Sequence, residues 1–273
     1  MKTLQSKRVL VTGGAGGLGH AMARRFAAEG AELVLTDVAS DVLADMVADF
    51  TARGVACRGY TLDVTDVDAI HAVRQRLHAD AGPLDVLVNN AGIVTGGPFL
   101  DVPLDKHLAT YRVNIDGVMA MTHAFLPDLV AAAEGHLVNL ASAAGFIGLP
   151  YGATYASSKW AVIGLSESLR LEMAQLGHDH VGVTTVCPLY VDTGMFAGVR
   201  PPRLTRFLKP DDVADKVVAA VLAGRPFVLE PWLVKITPFL RNSLPRRVGD
   251  LLADLFGAST GMKTWTGRRR QAR

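Results

Sequence analysis

Apolar residues along this chain fall into two alternating patterns. Short apolar runs, read as buried strands, recur at residues 8–12, 32–37, 55–62, 85–88, 136–140, 181–188 and 227–229. Between them lie longer stretches with apolar residues three and four apart, the spacing of a helix with one buried face. In residues 40–53 that face is Val42, Leu43, Met46, Val47 and Phe50. Further helices are predicted from the first glycine cluster to residue 29, from a Thr65 or Asp66 cap to residue 79, over 104–127, through Tyr155 to residue 175, and over 210–223. Strand and helix alternate throughout, which predicts an α/β fold with a doubly wound parallel sheet of about seven strands and helices on both faces. Residues 1–230 read as one domain carrying an irregular flap at 189–209, rich in Gly, Pro and Arg. Residues 231–273 read as an amphipathic, basic, helical extension rather than an independent domain.

Composition narrows the class. A 273-residue chain that is 49% hydrophobic has enough for one large core. Its two cysteines, Cys57 and Cys187, sit in strand-like apolar runs and read as buried free thiols, which fits a reducing cytoplasm. The first eight residues hold no apolar stretch of a secretory signal, so a cytoplasmic location is expected. Residues 137–158 carry no charge, but Asn139, Ser142, Thr154 and Tyr155 mark them as site and core rather than as a membrane span. Histidines offer no metal site: His178 and His180 are the only close pair and read as a surface loop.

Charge is uneven. Residues 1–199 hold 13 Lys+Arg against 20 Asp+Glu, and residues 200–273 hold 15 against 6. A basic end on an acidic body suits an anionic membrane surface, nucleic acid or self-association. Nucleic acid is set aside, since no basic surface is interleaved with aromatics. In 231–257, Trp232, Leu233, Ile236, Phe239, Leu240 and Leu244 mix with Lys235, Arg241, Arg246 and Arg247. Pro238 and Pro245 limit any single helix, so the segment does not span a bilayer. It reads as a peripheral membrane contact, a lid over a pocket, or a subunit contact. Arg268, Arg269 and Arg270 read as a solvated end.

The candidate chemistry begins after the first strand. Gly13, Gly14, Gly16, Gly17 and Gly19 lie between that strand and a helix. Glycines there permit a tight turn and let backbone N–H groups approach a pyrophosphate at the helix N-terminus, which makes the fold Rossmann-type. Asp37 closes the second strand, where a carboxylate accepts from a ribose 2′-hydroxyl and repels a 2′-phosphate. No Lys or Arg lies in residues 13–19 or just after Asp37, so NAD is expected in preference to NADP. Asp37 is equally suited to a strand-end or capping role. Tyr155 and Lys159 are four apart, hence stacked on one helical face. An ammonium beside a phenol favours the phenolate and suits it to acid–base work. The same spacing also fits a packed Tyr and a snorkelling Lys. Ser142 follows the fifth strand as a site or a turn residue, and Asn114 interrupts a helix as a satisfied buried amide or a bend.

Taken together, these residues resemble the short-chain dehydrogenase/reductase family over about residues 6–230. Thr12, Gly13, Gly16, Gly17, Leu18 and Gly19 are similar to its cofactor loop, Asp63-Val64 to its adenine-contacting pair, and Asn89-Asn90-Ala91-Gly92 to its NNAG segment. Asn114, Ser142, Tyr155 and Lys159 fall where the family has its catalytic tetrad, and Pro188, Val191 and Thr193 resemble the nicotinamide-side segment. The family usually has Pro-Gly after the sixth strand, whereas here Pro188 is followed by Leu189. A softer likeness, in Cys187-Pro188, Val191, Thr193-Gly194, the Pro-punctuated tail and the ending Gly261-Met262-Lys263 with Gly267-Arg268, is to the retinol and 17β-hydroxysteroid dehydrogenase-like branch.

The resemblance implies hydride transfer between NAD(H) and a lipophilic alcohol or its ketone or aldehyde. Tyr155 would be the general acid/base, Lys159 the ribose ligand, Ser142 the substrate-orienting hydroxyl, and Asn114 the holder of a water linked to Lys159. Phe146, Ile147, Leu149, Pro150 and Tyr151, with Tyr190, Met195, Phe196 and Val199 from the flap, are expected to line the pocket. A homodimer or homotetramer is implied. A 3-oxoacyl thioester reductase and a non-catalytic NAD-sensing scaffold are the rival readings.

Overall fold

The computed structural model describes residues 1–267; the Arg268–Arg270 run lies outside them. Seven parallel strands form one sheet in the order β3-β2-β1-β4-β5-β6-β7. They are β1 (Arg8–Thr12), β2 (Glu32–Asp37), β3 (Cys57–Thr61), β4 (Val86–Asn89), β5 (Gly135–Leu140), β6 (Val181–Pro188) and β7 (Phe227–Glu230). Every residue of β4 and β5 is buried, as central parallel strands covered on both faces require.

The period of two is visible in the packing. Val9, Val11, Leu33 and Leu35 point into one core layer, and Leu10 and Val34 into the other. The first layer is closed by α1 (Gly17–Ala28), α2 (Ser40–Ala52) and α7 (Pro210–Leu222), through Met22, Phe26, Phe50 and Val217. The second is closed by α3 (Val67–Asp80) and α5 (Gly117–Ala131), through Ile70, Leu77, Met121 and Phe125. Asp66 caps α3, its carboxylate accepting from Ala69 N–H. α6 (Ala153–Gln175) packs beside β5 and β6.

Sheet order reverses between β1 and β4. A crevice opens there at the C-terminal ends of the strands, where ligands bind in open α/β sheets.

Two expectations are corrected. The helix expected over 104–127 is broken into α4 (Leu104–Tyr111), a π-helical turn (Arg112–Asp116) and α5. Asn114, fully buried in that turn, is held by partners outside the helix, and the extra residue follows from them. Pro127 does not end α5, because Leu129 beyond it is buried in the core and keeps the last turn in place. Cys57 is only half-buried on edge strand β3, while Cys187 is buried as expected.

The extension forms α8 (Trp232–Ser243) and α9 (Arg246–Phe256), separated at Pro245, then a 3-10 turn (Gly261–Thr264). α8 is tied to the body by buried Val234 and by Arg241, which stacks 4.0 Å over the Trp160 ring and donates to Phe146 O. No helix among the described residues is long and apolar enough to cross a membrane.

Candidate active site

The crevice at the reversal point is a cleft of about 430 Å³. Its walls carry Gly13, Gly16, Gly17, Leu18, Gly19, Asp37, Asp63, Val64, Asn90, Ala91, Gly92, Tyr155, Lys159, Pro188, Val191 and Thr193. A slightly larger hollow, about 500 Å³, lies between the flap, α7 and α8 and holds none of these residues.

Two glycines make the β1–α1 turn possible. Gly13 has φ +63°, a left-handed conformation few residues adopt. A Cβ on Gly19 would collide with the Gly13 carbonyl, so only glycine lets α1 sit this close to the turn. Helix α1 begins at Gly17 with no side-chain cap and no acidic residue in its first turn. Its leading N–H groups therefore lack a side-chain acceptor and face the cleft, which fits a pyrophosphate. Thr12 Oγ1 accepts from Asn90 N–H and Ala91 N–H, and Asn90 Nδ2 donates to the carbonyls of Thr12 and Gly13. These bonds lock the ends of β1 and β4 together. Asn89 Nδ2 donates to Thr122 Oγ1 and Asn139 Oδ1 beneath them.

At the far end of the cleft, Asp37 accepts from Ala15 N–H in the glycine loop and from Ala39 N–H. It thus serves as a strand-end brace and still lines the cleft. Asp63 accepts from Thr65 N–H and Oγ1, through Oδ1 alone. Lys159 is the only cation among the residues lining the cleft.

Tyr155 and Lys159 lie one turn apart on the buried face of α6. Burial pushes the Tyr155 phenol up to about 12, against the nearby Ser142 hydroxyl, which favours the ionised form. Burial likewise pushes the Lys159 ammonium down to about 8. The phenol is thus raised by loss of solvent, not lowered as the neighbouring lysine led one to expect. Lys159 Nζ donates to Leu140 O at 2.6 Å. Ser142 follows β5 and caps the 3-10 turn Ala143–Phe146, accepting from Ala144 N–H, so the turn and site roles coincide.

Ser142 and Asn114 are not among the residues that line the cleft. Asn114 Oδ1 accepts from Ile93 N–H, and its Nδ2 donates to Ile93 O and Ser158 Oγ. A Cβ on Gly92 would lie 3.3 Å from Asn114 Oδ1 and 3.6 Å from Lys159 Nζ, so glycine leaves a gap between the two.

An apolar cluster adjoins the phenol, and the cleft reaches it at Met195 and Phe196. Leu149, Tyr151, Tyr190, Met195, Phe196 and Val199 pack with Tyr155, as expected, and the Phe196 ring meets the Tyr155 ring edge-on at 5.8 Å. Phe146 does not join them. It packs with Val234 and β7 residues, because Arg241 and α8 draw that turn outward. Ile147 is half-buried, its carbonyl accepting from Trp160 Nε1, and Pro150 is exposed. Sequence reasoning missed Val38, Leu62, Ile93, Val113, Leu140 and Ala141 in the cleft wall. Most directly flank a recognised motif, which is the signal that finds them. It also missed Met262 and Trp265, which pack in the same apolar cluster.

The family model for short chain dehydrogenase matches residues 7–203. Epidermal retinol dehydrogenase 2 of Mus musculus is 34% identical over 273 residues, covering 99% of this chain and 88% of the relative. Among solved structures, a short chain dehydrogenase/reductase from Burkholderia phymatum in complex with NAD superimposes with a TM-score of 0.82 at 27% identity, covering 92% of this chain and 97% of the other. An alcohol dehydrogenase from the archaeon Thermococcus sibiricus, complexed with 5-hydroxy-NADP, gives 0.71 at 28% identity, with 80% and 91% covered. With its seven-stranded parallel sheet and its glycine-lined crevice, the chain belongs to the short-chain dehydrogenase/reductase family of oxidoreductases, with retinol dehydrogenases among its relatives.

Proposed function

We propose that this protein interconverts a lipophilic alcohol and its ketone or aldehyde, using NAD(H), with Tyr155 as general acid/base. The observation that carries the reading is the Tyr155 phenol itself. It is buried against the Ser142 hydroxyl, with an apolar cluster on one side and a glycine-cradled cleft on the other. A nicotinamide bound in that cleft supplies the acceptor or donor of hydride.

The chain's own residues handle the proton. In oxidation Tyr155 takes it from the substrate hydroxyl, and in reduction it returns it to the carbonyl oxygen. Ser142 orients that oxygen beside the phenol. Lys159, held by Leu140 O, keeps its positive charge near the phenol and holds the ribose hydroxyls. The gap at Gly92 suits a water between Asn114 and Lys159, a route for the proton toward solvent. Acid–base catalysis of this kind contributes roughly 10²–10⁴-fold.

NAD is favoured over NADP because Asp37 and Asp63 are the charged groups at the adenosine end, with no cation to balance a 2′-phosphate. The cluster beside the phenol is apolar, which favours a lipophilic substrate. Leu104, Leu108 and Tyr111 form an exposed stripe on α4, with Met119, Trp160 and Leu171 exposed nearby on α5 and α6; a second copy of the chain suits this face. The exposed apolar and basic residues of α8 and α9 suit peripheral contact with an anionic membrane. The reading is tested by following NADH formation with a panel of alcohols, retinoids and steroids. Cofactor reduction by an apolar member supports it, and a panel without turnover while NADH still binds refutes it.

A further inference from the structure

Residues 261–267 lie over the apolar cluster as a strap with three anchors. Thr266 N–H donates to Ala197 O at 2.9 Å, Arg200 N–H to Gly261 O at 3.2 Å, and Trp265 Nε1 to Met195 O at 3.1 Å. All three bind the strap to the flap. On the opposite side the Trp265 ring lies against Gly96, and Met262, only 1% exposed, reaches Gly96 and Gly152.

The fit depends on glycines from three distant parts of the chain. A Cβ on Gly96 would lie 2.6 Å from Trp265 Cε3. One on Gly198 would strike Thr264 O, and one on Gly261 would lie 2.9 Å from Arg200 O and 3.2 Å from the Tyr190 hydroxyl. Tyr190 in turn packs edge-on against Phe196, 5.1 Å between centroids, and Phe196 against Tyr155. The strap is thus the outer layer of the same apolar cluster whose inner layer touches the phenol.

We infer that Trp265 and Met262 form the end wall of the substrate chamber and set the length of the apolar substrate it accepts. This rests on the oxidoreductase reading above. Two other roles for the strap fit the packing less well. A membrane contact needs exposed apolar residues, and Met262 is among the most buried residues of the extension. A mere chain terminus needs no glycine-lined slot. A wall of large side chains excludes substrate atoms that overlap it, and each methylene gained or lost in an apolar pocket alters selectivity about tenfold or more.

The experiment uses the full chain and a series of straight-chain 2-alkanols of increasing length, with NAD. Trp265→Ala removes the wall. Gly96→Ala displaces the ring from the other side, and its backbone conformation tolerates alanine, since no left-handed φ is involved. Trp265→Phe keeps one aromatic ring, while it loses the indole's second ring and the bond to Met195 O. Trp265→Ala should move the preferred chain length upward by about two carbons, and Gly96→Ala should shift it away from the parental value. They should lower kcat/KM for the parent's best substrate about tenfold through KM, with kcat little changed. Trp265→Phe should move the profile less than Trp265→Ala. A uniform loss across the series, or an unmoved length preference in Gly96→Ala with cofactor binding intact, overturns the inference. Should Trp265→Ala fail to fold, Gly96→Ala decides alone. A parent that oxidises no member of any apolar series while binding NAD overturns the underlying reading instead.

Discussion

Lys159 Nζ donates to Leu140 O at 2.6 Å and stands 5.8 Å from the centre of the Tyr155 ring. The lysine is therefore pinned by the end of β5, not by the phenol it serves. Loss of solvent dominates both groups, raising the phenol to about 12 and lowering the ammonium to about 8. A phenol at that value stays protonated at neutral pH and has no free base to offer, so further positive charge must favour its ionisation during alcohol oxidation. The oxidised nicotinamide carries such a charge. Phenolate difference absorbance, taken against Tyr155→Phe, should titrate at lower pH with NAD⁺ than without cofactor. Alcohol oxidation should quicken, and carbonyl reduction slow, as pH rises through neutrality. Tyr155→Phe should abolish turnover by about a thousandfold while NADH still binds. A near-normal rate in that variant removes Tyr155 from its role.

Asp37 carries the cofactor preference. Asp37→Asn keeps an acceptor for Ala15 N–H and removes the charge that opposes a 2′-phosphate. The ratio of kcat/KM for NADP over NAD should rise about tenfold or more, and added salt should narrow the difference between parent and variant. A parent that already prefers NADP contradicts the assignment.

His136 predicts how stability responds to acid. It is buried in β5, and burial pushes its pKa down to about 3. Its Nε2 pairs with Thr184 Oγ1, which itself donates to Arg225 O, so Nε2 is the protonated nitrogen. Below the ordinary imidazole value of about 6.5, the unfolded chain takes up a proton that the native state refuses. Stability from this residue is thus complete above that pH and falls by about 1.4 kcal/mol per pH unit toward pH ~3. His136→Leu removes the effect and leaves Thr184 its bond to Arg225 O. Denaturant midpoints of the variant should fall less between about pH 7 and about pH 5 than those of the parent. Parallel declines in the two proteins disprove it.

What the sequence made legible was whatever depends on short spacing. The glycine turn, Asp37 at a strand end, and the Tyr155–Lys159 pair are each set within one or two turns of chain. The π-helical turn at Asn114 was hidden because its cause lies in Ile93 and Ser158, which reach it only once the sheet has formed. The direction of the Tyr155 shift was misjudged for a similar reason. A neighbouring charge is visible in a sequence, whereas the solvent a group loses is not. The strap is the extreme case: nothing in local spacing shows that Gly96 makes room for Trp265 or Gly198 for Thr264.

The extension poses the last question, which is what covers its outer face. On α8, Trp232, Ile236, Phe239 and Leu240 recur at positions i, i+4, i+7 and i+8, opposite the buried Val234, and all are exposed. On α9, Val248, Leu251 and Leu255 form a second exposed stripe, and no residue of that helix is buried. Lys235, Arg246 and Arg247 accompany the stripes, and Arg203 N–H ties the basic flap to Phe256 O at the end of α9. Apolar stripes with nearby cations favour an anionic bilayer surface, where the apolar side chains enter the headgroup boundary and the cations meet phosphates. The full chain should float with vesicles containing phosphatidylglycerol, less so with pure phosphatidylcholine, and release as salt rises. Phe239→Ser combined with Leu251→Ser should reduce the bound fraction at least about tenfold, with turnover of a water-soluble alcohol retained. Unchanged flotation of that variant rules out these stripes as the lipid contact. A fall in sedimenting mass without any lipid binding by the parent shows instead that a second copy covers the face.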